Sequence, residues 1–408
     1  MSPVAEIIAQ EIKAEGAISF ARFMQLALYC PVCGYYEKEE DTIGRAGDYY
    51  TSVSVGPLFG ELLALQFAEW LEPEPGPSFR PPLPCPAAAT GALQIVEAGA
   101  HNGQLARDIL TWLRARRPAL YDRLAYWIIE PSERRQGWQA RTLAEFITKV
   151  RWLQNLPEVG SPAAQTPAAS GTPAPPRFAG ARGIMFANEL LDAMPVHRLG
   201  WKAATQSWFE WGVALQADRF VWKRLPEGTS GKRYHGPLPI VAAPLAAVLP
   251  DGFVVEVSAE AAAWWSQAAK VLQSGRLLTI DYGLNADELL VPERQAGTLR
   301  AYRGHLATRD LLATPGEQDL TADVNFTTIR TAGEAAGLVT EHFLSQAQFL
   351  TPIATRAWQN EEAFGEWTPG RKRQFQTLIH PEHLGRPFRA LIQARATPPA
   401  QPGGNCSS

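Results

Sequence analysis

The sequence predicts an α/β fold, a doubly wound and mostly parallel sheet, and three observations carry that expectation. Ile95-Val-Glu-Ala-Gly-Ala-His-Asn-Gly103 is a short apolar run that ends in an acid and a glycine turn, and a helical pattern starts directly after it. Tyr126-Trp-Ile-Ile-Glu130 is a second apolar run, again closed by an acid. Further along, Gly183-Ile-Met-Phe-Ala-Asn-Glu189 and Arg276-Leu-Leu-Thr-Ile-Asp-Tyr-Gly283 repeat the theme. In open α/β sheets ligands collect at the carboxyl ends of strands. Glu97, Glu130, Asn188-Glu189 and Asp281-Tyr282 all stand at such ends, and a purely structural strand has no need of them.

The remaining elements follow in chain order. Residues 4–30 have helical periodicity, and Gly44–Thr51 is a polar, glycine-rich loop. Leu58–Leu71 is a helix so apolar that burial is expected. Pro73 to Pro86 holds too many prolines for a helix or central strand, which makes residues 73–91 a connector. The α/β domain then spans 92–395, with a helix running to about Arg117 after the glycine turn. Residues 157–180 form a Pro/Ala-rich insertion. Residues 198–250 form a second insertion, in which Trp208-Phe-Glu-Trp-Gly-Val and Arg219-Phe-Val-Trp-Lys suit a β-hairpin. Ala259–Ser274 is helical, and 396–408 is a low-complexity tail expected to be disordered.

The bulk composition narrows the function. At 408 residues with 46% apolar content the chain can bury a large core. Its 38 basic and 41 acidic residues give a net charge of -3, against a general nucleic-acid or anionic-membrane binder. No apolar run approaches the ~18 residues that span a bilayer. The N-terminus is acidic and helix-like rather than a leader, so the expected setting is the cytoplasm of a bacterium. Of the four cysteines, Cys30-Pro-Val-Cys33 has the spacing of a zinc knuckle, but no second pair exists. No metal is therefore expected.

The turn spacing selects among ligands. A dinucleotide site wants G-x-G-x-x-G with an acid roughly 20 residues on. Here His101 occupies the second glycine position and Glu130 lies further away. Glu97-x-Gly99 with a looser turn to Gly103 is similar to the first motif of S-adenosylmethionine-dependent methyltransferases, with Glu130 placed to accept both ribose hydroxyls.

Blocks in series make the resemblance specific. They include Phe23-Met-Gln-Leu-Ala-Leu-Tyr, Gly34-Tyr-Tyr, Ile43-Gly-Arg-Ala-Gly-Asp48-Tyr, Thr51-Ser and Leu58-Phe-Gly-Glu61-Leu. Ala187-Asn-Glu-Leu-Leu-Asp192-Ala-Met-Pro195-Val, Ile280-Asp-Tyr-Gly283, Gly297-Thr-Leu-Arg-Ala-Tyr-Arg303, Pro315–Phe326 and Leu378-Ile-His-Pro381 continue it. In this order, over residues 18–390, the chain resembles the MidA-like methyltransferases. That family includes the mitochondrial complex I assembly factor that methylates a protein arginine. This chain departs from its pattern at His101, at Val53-Ser54, where a carboxylate is lost, and at Cys30 and Cys33.

The resemblance implies a class I methyltransferase-like sheet with an N-terminal helical extension, and transfer of a methyl group from S-adenosylmethionine to a protein arginine, in the setting of respiratory complex I assembly. It implies cofactor contacts at Glu97, Gly99, Gly103 and Glu130, with Asp48 and Thr51 closing the pocket. Acids suit a guanidinium acceptor, because bidentate pairing can orient the attacking nitrogen. Asn188, Glu189 and Asp192 are the expected acceptor residues, with Glu317 and Asp319 further candidates; helix capping by Asn188 or Asp192 is the structural alternative. The expected partner is the protein bearing that arginine, with a second copy of the chain also open. Two other readings stay open: a non-catalytic assembly factor using the Trp-rich hairpin or N-terminal helices, and an NAD-type oxidoreductase.

Overall fold

The computed structural model describes residues 2–38, 51–72, 93–158, 178, 180–226, 233–303, 306–308 and 310–395. The 73–91 connector, the greater part of the 157–180 insertion, the 396–408 tail and Asp48 lie outside the described residues.

An eight-stranded sheet forms the centre. Its order in space is Val339–Ser345, Phe388–Arg395, Leu272–Leu284, Ala181–Asn188, Leu93–Ala98, Leu124–Ile129 and Val150–Leu153, and the short Val324–Asn325 strand pairs beside the end of Leu272–Leu284. The five strands from Leu272–Leu284 to Val150–Leu153 run parallel. Phe388–Arg395 runs antiparallel to both of its neighbours. Strand order reverses between Leu93–Ala98 and Ala181–Asn188, and a crevice opens at such a point.

Helices cover both faces, as parallel strands require. One face packs Leu58–Leu71, Gln104–Arg116, Gln346–Gln359 and Pro369–Ile379 around Phe59, Phe67, Ile95, Ile128 and Phe186. The other packs Ala259–Val271 and Phe326–Ala335 around Val96, Met185, Trp265 and Leu277. The Leu58–Leu71 helix matches its expected span and buries ten of its residues, Phe59, Leu62, Leu63 and Phe67 completely. Each such side chain removes roughly 1.5–3 kcal/mol of apolar surface from water. Serine side chains cap several helix starts, among them Ser2, Ser19, Ser132 and Ser258.

Two expectations need correction. The helix from Ala259 stops at Val271, and Leu272–Ser274 already belong to the strand, which has an irregularity at that point. The inserted hairpin is real, with Ser207–Gln216 paired to Arg219–Arg224, but it is part of a larger antiparallel sheet. His197–Lys202 pairs with Ser207–Gln216 and with Val254–Val257, and Ile18–Ser19 of the N-terminal region adds an edge. The N-terminal helices Pro3–Glu15 and Phe20–Tyr29 therefore pack on this insertion through Phe20, Phe23, Val213, Phe220 and Trp222. Trp201 is buried and packs edge-on against Trp208 at 5.0 Å, so these aromatics form core.

Candidate active site

The glycine turn follows the Leu93–Ala98 strand at the switch point. Gly99, His101 and Gly103 all have positive φ, at 74°, 45° and 86°. A Cβ on Gly99 would stand 2.9 Å from Leu190 Cδ1, so only glycine keeps this cradle open. Gly103 is left-handed and leads straight into Gln104–Arg116, placing the turn at a helix N-terminus.

The two acids expected beside this turn have different surroundings. Glu97 is buried, and its Oε2 accepts the Tyr126 hydroxyl at 2.6 Å from the next strand. Burial pushes its carboxyl up to about 7, against the pull of that hydrogen bond. Glu130 is also buried; its Oε1 accepts Ser132 N at 2.9 Å and Arg135 Nε at 2.9 Å, with Arg135 Nη2 at 2.8 Å. Its Oε2 accepts Gln139 Nε2 at 3.1 Å. Gln139 also donates to the carbonyl of His101 at 3.0 Å and accepts Trp152 Nε1 at 2.8 Å, tying the glycine turn to Glu130. Ser132, not Glu130, is the side-chain cap of the Glu133–Thr142 helix.

A second group of acids gathers past the Ala181–Asn188 strand. Glu189 has φ 52°, and its Oε1 accepts Ser52 N at 3.0 Å and Asn188 Nδ2 at 3.1 Å. The Oδ1 of Asn188 is buried with no hydrogen-bond partner among the described residues. Asp281 is fully buried, and its Oδ2 accepts the backbone N–H groups of Leu190, Leu191 and Asp192 at 3.1, 2.8 and 3.4 Å. That carboxylate holds the whole Glu189–Asp192 turn. Burial, with the Asp192 charge adding, pushes Glu189 up to about 8. Burial pushes Asp281 up to about 7 and raises Asp192 well above the ordinary range, with Asp281 and Asp319 charges adding to the latter. Among the described residues no arginine or lysine pairs with Glu189, Asp192 or Asp281.

The capping alternative for Asn188 and Asp192 does not hold, because a turn and then the His197–Lys202 strand follow them. Of the two later acids, Asp319 is buried, accepts the Tyr36 hydroxyl at 2.7 Å and raises the carboxyls of Glu189 and Asp192. Glu317 is instead drawn to Arg303 at 3.0 Å on the surface. Thr51 is buried in a turn in which its Oγ1 accepts Ser54 N at 3.1 Å, and the adjacent Ser52 reaches Glu189.

Sequence reasoning did not single out Tyr29, Tyr36, Glu37, Ser52, Tyr126, Arg135 or Gln139. Tyr29 donates to the Ala193 carbonyl at 3.0 Å, beside Asp192. Only Tyr29, Tyr36 and Ser52 had a signal, their places within the ordered blocks; Glu37, Tyr126, Arg135 and Gln139 had none. Cys30 and Cys33 sit on this same segment, with their sulfurs at 3.2 Å. No group of three or more metal-ligating side chains occurs among the described residues.

Comparison with known proteins identifies the family. The model of the family described as "Putative S-adenosyl-L-methionine-dependent methyltransferase" matches residues 63–344. The chain is 28% identical over 413 residues to the protein arginine methyltransferase NDUFAF7, mitochondrial, of Danio rerio, covering 94% of this chain and 84% of that one. It is 26% identical over 415 residues to the Mus musculus protein of the same name, covering 95% and 83%. A Burkholderia thailandensis structure described as a "likely methyl transferase", bound to S-adenosyl-homocysteine, superposes with a TM-score of 0.76 at 28% identity. The match covers 97% of this chain and 93% of that one. A turn that requires glycine at a helix N-terminus, and a Glu130 Oε2 that among the described residues meets only Gln139, fit that cofactor. The protein belongs to this family and is a methyltransferase that uses S-adenosylmethionine.

Proposed function

We propose that the acceptor is an arginine side chain of a protein, in the setting of respiratory complex I assembly, and that Asn188, Glu189 and Asp192 receive it. One observation carries the reading: buried carboxylates converge at the switch point and, among the described residues, Glu189 and Asp192 have no cation paired to them and the Asn188 oxygen beside them has no donor. A guanidinium satisfies both needs, since it brings charge and several N–H donors in one plane. The names of the relatives in Danio rerio and Mus musculus support the same acceptor class.

When bound, S-adenosylmethionine supplies a methyl group on a positively charged sulfur. Gly99, Gly103, Glu97 and Glu130 are proposed to hold it, with Thr51 and Asp48 closing the pocket. The rest of the work falls to the protein. Glu189 and Asp192 orient the guanidinium through paired hydrogen bonds, which sets the attack geometry. Asp281 keeps both acids in place through the turn amides. Glu189, whose carboxyl burial pushes up to about 8 and which the bound guanidinium ionises, takes the proton that the guanidinium loses on methylation. Tyr29 and Tyr36 close the side nearest Asp192 and Asp319.

The test is methyl transfer from radiolabelled S-adenosylmethionine in a native lysate, followed by amino-acid analysis of the labelled band. Label in methylarginine is the expected result. Label confined to lysine, histidine or a small molecule would overturn the acceptor assignment.

A further inference from the structure

We infer that Glu37, from the N-terminal segment, is a positioning residue for cofactor ribose recognition, acting on Glu130 through Arg135. The inference rests on the reading of Glu130 as the ribose acid, and it deepens that reading. Arg135 stands between two buried acids. Its Nε and Nη2 reach Glu130 Oε1 at 2.9 and 2.8 Å, while its Nη1 lies 3.4 Å from Glu37 Oε1. Glu37 is itself fixed: Ser132 Oγ donates to its Oε2 at 2.7 Å, and Arg134 Nη1 donates to its backbone carbonyl at 2.8 Å.

Counting acceptor positions shows why this matters. A carboxylate offers about four, two on each oxygen. Oε1 of Glu130 already faces Ser132 N and two nitrogens of Arg135, and Oε2 faces Gln139. Three donors crowd the two positions of Oε1, so among the described residues one position is left, on Oε2, but a ribose presents two hydroxyls. Glu130 can take both only if Arg135 gives up part of its hold on Oε1. Glu37 offers the place for it to go, a second carboxylate already within ion-pair range. The buried guanidinium then never lacks a counter-charge, which would be costly. Glu37 thus keeps Glu130 available to the ligand, and it does so from a segment remote in sequence.

The experiment compares S-adenosylhomocysteine with its analogue lacking both ribose hydroxyls, by calorimetry on the full chain. The wild type is expected to prefer the hydroxylated ligand by on the order of 10- to 100-fold. In Glu37→Gln, Arg135 settles entirely on Glu130, so S-adenosylhomocysteine should weaken by about tenfold while the analogue holds steady. A merely structural role predicts equal loss for both ligands, and that result, or no change, overturns the inference. Glu130→Gln separates the two layers. If it leaves the preference between ligands untouched, Glu130 does not read the ribose and the inference falls with that reading. If it abolishes the preference and Glu37→Gln does not lower it, only the role of Glu37 is lost. Should Glu37→Gln fail to fold, Arg135→Lys provides the readout: one ammonium grips Oε1 less fully, so the preference should rise, and an unchanged preference overturns the inference.

Discussion

Glu130 and Glu189 end the two strands that flank Leu93–Ala98, yet their surroundings are opposite. Glu130 meets Arg135, a backbone amide and an amide side chain, so its charge is answered within the protein. Glu189 meets an amide, Asn188 and further acids, and among the described residues no cation. A carboxylate already balanced can recognise neutral hydroxyls by hydrogen bonding. A carboxylate crowded by its own kind favours a ligand that brings positive charge. The contrast supports the proposed reading, in which the Glu130 side takes a sugar and the Glu189 side a cation.

The largest expected effect lies where the two sides meet. Gly99→Val forces a branched side chain into left-handed backbone and against Leu190, which belongs to the proposed acceptor turn. S-adenosylhomocysteine binding should fall by on the order of 100-fold or more, and the melting temperature should drop with it. Unchanged affinity in a folded variant would place the cofactor elsewhere.

Glu189→Gln and Asp192→Asn, made separately, sharpen the contrast. Each should lower methyl transfer by on the order of 100-fold, equivalent to ~2.7 kcal/mol, while cofactor affinity stays within about twofold. Normal transfer in both variants refutes the acid clamp. Loss of cofactor affinity in step with activity would move these acids to the sugar side and dissolve the distinction.

Glu130→Ala tests the other half, with S-adenosylhomocysteine affinity expected to fall roughly 10- to 100-fold. The melting temperature should fall as well, because the variant leaves the largely buried Arg135, among the described residues, with only the longer contact to Glu37. A thermal shift alone therefore cannot tell a ribose ligand from a structural pair. Unchanged affinity with a lower melting temperature would remove Glu130 from the cofactor.

The sheet and the strand-end acids were legible because both are local patterns. Short, mostly apolar runs ending in Glu97, Glu130, Asn188 and Asp281 declare parallel strands, and the Leu58–Leu71 helix declares itself by length and apolar content. What stayed hidden depends on distant pairing. Nothing near Glu37 in sequence announces Arg135, and nothing near Tyr126 says that its hydroxyl meets Glu97. The strand register creates those meetings. The larger insertion sheet was missed for a similar reason: Ile18–Ser19 and Val254–Val257 are too short to stand out alone, and only pairing makes them strands. Asp281 was visible as a polar strand end, but its role depends on three amides some ninety residues away.

The smallest expected effect concerns pH, and it follows from the side where the acids gather. Glu189 is pushed from 4.5 up to about 8 and Asp281 from 3.8 up to about 7, in both cases chiefly by burial, and Asp192 is raised as well. A folded-state value above the unfolded one means that folding favours the protonated carboxyl. The stability this contributes is complete below the unfolded values and is lost as pH rises through the folded ones. The melting temperature of the cofactor-free protein should therefore decline by several degrees between about pH 6 and pH 9, and Glu189→Gln should make that decline shallower. A guanidinium reverses the preference, because it binds the ionised form. N-acetylarginine amide should accordingly bind more tightly at pH 9 than at pH 6, and the gain should shrink in Glu189→Gln. Titration calorimetry and thermal melts over that range measure both. A melting temperature that is flat or rising across the window would mean that the acids beyond Asn188 are already balanced, and the contrast between the two sides would fail.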